Sequence, residues 1–197
     1  IYDQEIARLL KLAPAAKSMH HTYIGGLLEH TVSLVKLVKD VSAHYPNINQ
    51  DILTAGAILH DIGKTYELSY ERAFDYTDEG RLLGHITIGV DMLNKKISQI
   101  PDFSKETAML LKHMILSHHG YLEYGSPKRP KTLEAIMLYF LDDMDSKIQS
   151  AGALIEKEKD TDSKWTSFHK MYERYIYKGE KETVFEKSME GEKTNDK

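Results

Sequence analysis

Apolar residues recur along this chain at three- and four-residue intervals, and alternating apolar/polar runs are scarce, so the pattern predicts helix almost throughout. A first helix is predicted over residues 3–12, stopping near Pro14. A longer one is predicted over residues 25–44, with Leu27, Leu28, Leu34, Val35, Val38 and Val41 turned inward and Pro46 marking its end. His30 falls on that inward face. The apolar stretch 52–59, with small residues at intervals, predicts a tightly packed helix that continues into His60-Asp61-Ile62-Gly63-Lys64. Residues 66–80 are polar and mixed, and turn chemistry over 75–80 predicts a loop. Helical patterning resumes over 81–97, carrying His85. Beyond Pro101 a helix is predicted over 104–117, with Ser104 and Thr107 as cap-like starts and His118 and His119 at its end. A loop over 120–131 leads into the longest predicted helix, 132–158, which carries Asp142, Asp143 and Asp145. A last helix is expected over 164–177, its Trp165, Phe168, Met171, Tyr172 and Tyr175 forming a packing stripe. From Lys178 the chain turns charged and poor in apolar residues, predicting a disordered tail. The expectation is one all-α domain over 1–177 followed by a tail over 178–197.

Composition narrows the chemistry. At 197 residues the chain is long enough for one domain with a full core, and no apolar run approaches the length of a bilayer span. A cytoplasmic protein is the default expectation. The absence of Cys removes disulfides and thiolate metal sites, leaving His, Asp and Glu as ligands, and ten His make that supply generous. A formal charge of −4 and a pI near 6.2 argue against a protein that grips nucleic acid over its whole surface. A local basic channel stays compatible with that charge. Lys128, Arg129 and Lys131 in a Pro-bracketed loop are candidates for it, as are Lys95 and Lys96 at a helix end, against the ordinary reading of solvated surface cations.

The run 60–64 is the most informative feature. It follows an apolar helix, so its polar side chains sit where water is scarce, and buried ionised groups must pair, coordinate a metal or titrate away. At helical spacing Asp61 and Lys64 share a face with Ala57, and His60 lies about one residue's rotation away, so three polar groups converge on one pocket. The alternative is a buried His-Asp hydrogen bond with Lys64 reaching solvent along its own stem. The rest of the chain favours the metal. His30, His60, Asp61, His85, His118 and Asp142 lie on five different predicted helices or helix ends, each within apolar sequence.

The ordered pattern His, His-Asp, His, His-His, Asp resembles the HD-domain superfamily of metal-dependent phosphohydrolases. More closely, the segment from His20-His21-Thr22-Tyr23 through Gly25-Gly26-Leu27-Leu28-Glu29-His30-Thr31, with Ser117-His118-His119-Gly120, looks like the HD domain of the YhaM-type 3′-to-5′ exoribonucleases. The resemblance covers roughly residues 15–160, and several spaced motifs in one order are far more specific than any one of them. It implies an HD-domain helical bundle with a metal site in its core. It further implies one metal on His30, His60, Asp61 and Asp142, with Asp61 bridging to a second on His85 and His118. Imidazole and carboxylate ligands suit Mn, Co, Fe, Ni or Zn better than Mg. Two such ions would activate water and neutralise charge on a phosphodiester, and Lys64 would hold a phosphate oxygen. Family members carry an N-terminal OB-fold, so this chain is expected to be the catalytic part of a longer protein; self-association is compatible with the sequence.

Several assignments stay open at this level. His119 is a phosphate contact by preference, or a metal ligand, or a cation at a helix C-terminus. The Asp-x-x-Asp pattern selects Asp142 as ligand, a one-residue register shift would select Asp143, and Asp145 would support the site from behind. His20 and His21 suit surface, substrate or metal contact equally. Tyr121 and Tyr124 either stack on bases or pack the loop. The implied activity is 3′-to-5′ hydrolysis of single-stranded RNA, or DNA, with Asp61 and Lys64 catalytic and Lys64, His119, Lys128 and Arg129 binding substrate. The competing readings are a nucleotide phosphohydrolase or cyclic-dinucleotide phosphodiesterase, a nonenzymatic nucleic-acid or signalling module, and a di-iron oxygenase. Residues after His118-His119 lack the Gly-Tyr-Pro signature of the cyclic-dinucleotide branch, and Gly26 stands where an acidic third-metal ligand would be.

Overall fold

A computed structural model of the protein describes residues 3–16, 23–69, 75–170 and 172–179. His20, His21, Met171 and the expected tail from 180 onward lie outside the described residues. The chain divides into two compact units, Ile1–Ile148 and Gln149–Lys197.

The first unit is helical. Its elements run α1 (Gln4–Leu12), α2 (Gly26–Ser42), α3 (Gln50–Leu59), α4 (Lys64–Glu67), β1 (Leu68–Ser69), β2 (Asp75–Tyr76), α5 (Asp78–Ile97) and α6 (Lys105–Ser117), then a 3₁₀ turn (Leu122–Tyr124) and α7 (Leu133–Lys157), which continues into the second unit. The starts are written in local chemistry. Side-chain oxygens of Asp3, Asn49, Thr77 and Ser104 accept from the backbone N–H three residues on, satisfying donors that a helix end leaves orphaned. Among the described residues no helix is long and apolar enough to cross a membrane.

Three apolar clusters hold the bundle. Leu34 and Val38 of α2 meet Leu53 and Ala57 of α3, Met114 of α6, and Ala135, Leu138 and Leu141 of α7. Ile62 packs with Leu10, Ala13 and Leu27, tying the segment after α3 to α1 and α2. Ile86 and Leu93 of α5 meet Leu111 and Ile115 of α6. Each buried aliphatic side chain contributes about 1.5–3 kcal/mol relative to exposure, so these contacts fix the polar groups set among them.

Four expectations need correction. The helix expected to run unbroken through Lys64 stops at Leu59; the next residues form turns, with Ile62 and Lys64 each donating to a carbonyl three residues back. This tighter winding carries His60 and Asp61 into one pocket. The loop expected over 75–80 holds β2, which pairs antiparallel with β1, and the first turn of α5, because Thr77 caps the helix four residues before Arg81. Lys96, a candidate for a basic channel, pairs with Asp3.

The fourth concerns the second unit, where the described residues between 164 and 177 form no helix. The segment doubles back as an irregular hairpin, with bridges Trp165↔Tyr177 and His169↔Arg174 and a backbone bond from Thr166 N–H to the Ile176 carbonyl. The aromatic stripe suggested helical packing, but Trp, Tyr, Phe, Thr and Ile fit a pleated surface better. Trp165 stacks edge-on against Tyr177, and Phe168 against Tyr175.

Candidate metal centre

Asp61 lies at the middle of the polar cluster and divides it. Its Oδ2 is 3.3 Å from His60 Nε2 and 4.0 Å from His30 Nε2. Its Oδ1 is 3.4 Å from His85 Nε2 and 3.5 Å from His118 Nε2. Asp142 Oδ1 closes the first half, 3.1 Å from His30 Nε2 and 3.7 Å from His60 Nε2. Ligand atoms of His30, His60 and Asp142 lie within 4.8 Å of one another, and those of His85, His118 and His119 form a second such group. The expected residues on α2, on the turn after α3, on α5, at the end of α6 and on α7 are thus brought together. Asp143, the competing register, pairs instead with Lys147 at 2.7 Å.

The other ring nitrogen of each histidine in the cluster is anchored. His60 Nδ1 lies 2.9 Å from the Ala57 carbonyl, His118 Nδ1 2.8 Å from that of Ile115, and His119 Nδ1 2.9 Å from that of Tyr124. A carbonyl only accepts, so these three rings carry hydrogen on Nδ1 and turn Nε2 inward, where it is a ligand whenever it carries no proton. His85 Nδ1 is 3.2 Å from Glu67 Oε1, which also accepts from the His85 backbone N–H at 2.9 Å. His30 Nδ1 is 3.2 Å from Asp145 Oδ2, whose other oxygen accepts from the Ser33 hydroxyl at 2.9 Å. Carboxylates behind metal-binding imidazoles orient the ring and raise its basicity.

This arrangement fits a metal on its own evidence. Asp61 Oδ1, His85 Nε2 and His118 Nε2 are buried and have no hydrogen-bond partner among the described residues. Three acceptors aimed at one another in a dry interior cost several kcal/mol, roughly, unless a cation lies between them.

Electrostatics point the same way. Burial works against ionising Asp61, yet Lys64 and His60 hold its carboxyl well below the usual carboxylate range. Burial also opposes the charge on Lys64, and Asp61, 2.7 Å from its Nζ, raises its pKa regardless. His30 is pushed up to about 10, because hydrogen bonds to Asp142 and Asp145 outweigh the burial that would lower it. Asp142 is driven down by His60 and His30 against its own burial. Glu67 is lowered, its desolvation overcome by His85. Burial depresses His118 and, with help from His118, takes His119 down to about 4. His119 falls in the second group of ligand atoms, a place that suits the metal ligand as well as the phosphate contact preferred from sequence.

The pocket opens on one side. His60 is fully buried, whereas the side chains of Lys64 and Asp142 are 19% and 18% exposed, which puts the mouth at the ammonium. Arg129 stacks 5.4 Å from the Tyr121 ring centre, and Tyr121 in turn contacts Tyr124 and Tyr139 edge-on. Lys128 lies with Lys131 along a groove beside α6.

Two glycines shape the site. An ideal Cβ on Gly63 would lie 2.0 Å from the His85 carbonyl oxygen and 2.7 Å from Gly89 N, so the turn and α5 pack backbone to backbone. Gly84, at φ 71° and ψ 156°, kinks α5 immediately before His85, a conformation open to glycine and few others. Sequence reasoning missed Glu67, because it fell in a stretch read only as polar and mixed. Its setting between Tyr66 and Leu68, just after the motif, was the available signal.

The sequence matches the HD domain family over residues 27–147. A curated relative from Geobacillus sp. (strain WCH70) named 3′-5′ exoribonuclease YhaM is 45% identical over 146 residues, 74% of this chain and 45% of the relative. Its namesake from Bacillus subtilis (strain 168) is 43% identical over 146 residues, 74% of this chain and 46% of the relative. The chain thus spans less than half the length of these relatives. No solved structure matches the chain significantly. The matched stretch holds His30, the His60-Asp61 pair, His85, His118 and Asp142 in order within one helical unit, and the chain belongs to the HD domain family.

Proposed function

We propose that this chain is the catalytic part of a metal-dependent 3′-to-5′ exonuclease that shortens single-stranded RNA in the cytoplasm. The observation that carries the proposal is the single carboxylate Asp61 set between two groups of histidines, each bounded by anchored rings. His30, His60, Asp142 and Asp61 Oδ2 would hold one divalent transition ion, and His85, His118, His119 and Asp61 Oδ1 a second. Bound there, two ions supply Lewis acidity toward a phosphodiester and lower the pKa of water. Nitrogen-rich ligation favours Mn, Co, Fe, Ni or Zn over Mg.

The remaining chemistry belongs to the chain. Lys64 sits at the mouth, 2.7 Å from Asp61 Oδ2, and by leaving that oxygen its ammonium would reach a nonbridging phosphate oxygen. Glu67 and Asp145 hold His85 and His30 in register, so that the phosphate meets a site with little left to reorganise. The buried walls exclude water from all but the mouth. In the full-length protein we assign the main nucleic-acid grip to an OB-fold outside this chain, so that this chain alone binds RNA weakly but retains hydrolysis at high substrate.

The experiment is Mn-dependent degradation of 5′-labelled single-stranded RNA, comparing this chain with Asp61→Ala and resolving products by length. Stepwise shortening from the 3′ end that vanishes in the variant supports the proposal. Metal bound without RNA cleavage, with mononucleotides or cyclic dinucleotides hydrolysed instead, overturns it.

A further inference from the structure

A groove runs along the outer side of α6, floored by Met109 and Leu116 and walled by Lys105, Lys112, Lys128 and Lys131. No carboxylate lines it among the described residues, and none of the four ammonium groups forms an ion pair there. That is a marked concentration of positive charge in a chain of net −4. Like charges held around a concave wall repel one another and favour an anion between them.

The walls are built rather than loose. Two lysines project from α6, and two from the Pro-bracketed loop, whose backbone is fastened to the same helix. Lys128 N–H donates to the Leu116 carbonyl at 3.2 Å, and the Ser126 hydroxyl bonds to the carbonyls of Leu116 and Lys128. Lys131 N–H donates to His113 Nε2 at 2.9 Å. The side-chain roots are therefore fixed, and the alkyl stems of the lysines have an apolar floor to lie on.

The groove also points somewhere. Lys105 and Lys112 lie seven residues apart on α6, a drift of only about 20° around the helix. Their stripe runs toward the C-terminal end of α6, where Ser117 is followed by His118 and His119 of the second histidine group. At about 1.5 Å per residue, Lys112 and Lys105 stand about 8 and 18 Å from Ser117 along the axis. That is the span of a few nucleotides.

We infer that this groove binds the sugar-phosphate backbone of single-stranded RNA a few nucleotides upstream of the 3′ end held at the metal centre. The inference rests on the function proposed above. The recognition is of phosphate spacing and is blind to sequence, since lysines offer point charges and no base-edge pattern. The apolar floor accommodates sugar or base faces without selecting among them.

The test is binding of a 5′-fluorescein 12-mer RNA to the chain in chelator, where hydrolysis is silent, followed by anisotropy over a series of salt concentrations. The Lys105→Gln/Lys112→Gln/Lys131→Gln variant is compared with wild type and with Lys36→Gln/Lys39→Gln on α2, and unfolding midpoints verify that all are folded. Removing three phosphate contacts should make the slope of log K against log [salt] shallower by about 2 and weaken binding about 100-fold at 0.1 M salt, with the α2 variant near wild type. An unchanged slope, or equal losses in the two variants, overturns the groove and leaves it to a different anion such as an acidic protein. Wild-type degradation of the same RNA with Mn is read separately. A groove-dependent slope without degradation keeps the groove and sinks the exonuclease, and degradation with an unchanged slope does the reverse.

Discussion

Gly63→Ala is the sharpest probe of how this site is assembled. The added Cβ would lie 2.0 Å from the His85 carbonyl oxygen, 2.7 Å from Gly89 N and 2.8 Å from the His85 carbonyl carbon. All three are backbone atoms, so no side chain can swing aside. Restoring an ordinary contact near 3.2 Å requires about 1.2 Å of separation between the turn and α5, and overpacking of this kind costs about 1–3 kcal/mol. With rigid backbone on both sides the upper end applies, lowering Tm by about 6–12 °C in a chain of this size. Where α5 gives way, the displacement carries His85 away from Asp61 while His30, His60 and Asp142, none of them on α5, keep their places. Metal analysis after equilibrium dialysis should therefore find the second ion lost before the first, with activity down about 100-fold for a shift of about 1 Å. Gly152→Ala is the control, since nothing lies within 4 Å of its Cβ and a helix-interior alanine gains about 1 kcal/mol. A Gly63→Ala protein with unchanged Tm and two ions bound would refute the reasoning.

Three further outcomes follow from the geometry. Glu67→Gln removes the carboxylate behind His85 and should weaken the second ion about 10–100-fold, measured by calorimetric titration; unchanged affinity would mean that Glu67 merely fills space. With its pKa near 10, His30 is protonated in the metal-free chain at pH 7.5 or so, and an ion must expel that proton, so titrations in buffers of different ionisation heat should report about one proton released at the first site. The sign for stability runs with it: a raised pKa stabilises the metal-free fold fully below about 6.5, and that contribution is lost as pH rises through about 10. Complete removal of metal should lower Tm by about 16–32 °C relative to ions supplied at a thousandfold excess over Kd, since each of the two sites contributes about 4 kcal/mol; a chelated chain melting with the loaded one would count against resident ions.

Much of this arrangement was legible in the chain, for identifiable reasons. The apolar periods of α1, α2, α6 and α7 exceed two turns and carry cap residues or flanking prolines, so both existence and register came through. The placing of His30 beside Leu27 and Leu34 followed from that register alone. What failed was short or locally ambiguous. The turns over 60–63 look helical in sequence because their φ/ψ angles stay close to helix and only the hydrogen-bond step shortens. Glu67 was hidden because four residues of α4 and two of β1 are too brief to show a period. The hairpin over 164–178 failed because an aromatic stripe without strict alternation fits both periods, and the pairing that decides between them is made across the turn.

The depth of the pocket bears on which ion would be found in it. Its ligand atoms come from helices and turns spread across residues 30–142, and His60, His118 and His30 are all but sealed from solvent. Lys64 and Asp142 nevertheless keep part of their side chains in solvent, so an ion would pass in or out beside an ammonium that repels it. Exchange would quicken wherever a bound anion draws that ammonium aside, and slow in plain buffer. Metal preference read on the purified chain would then report the path as well as the ligands, and the Irving–Williams order would describe only samples brought to equilibrium.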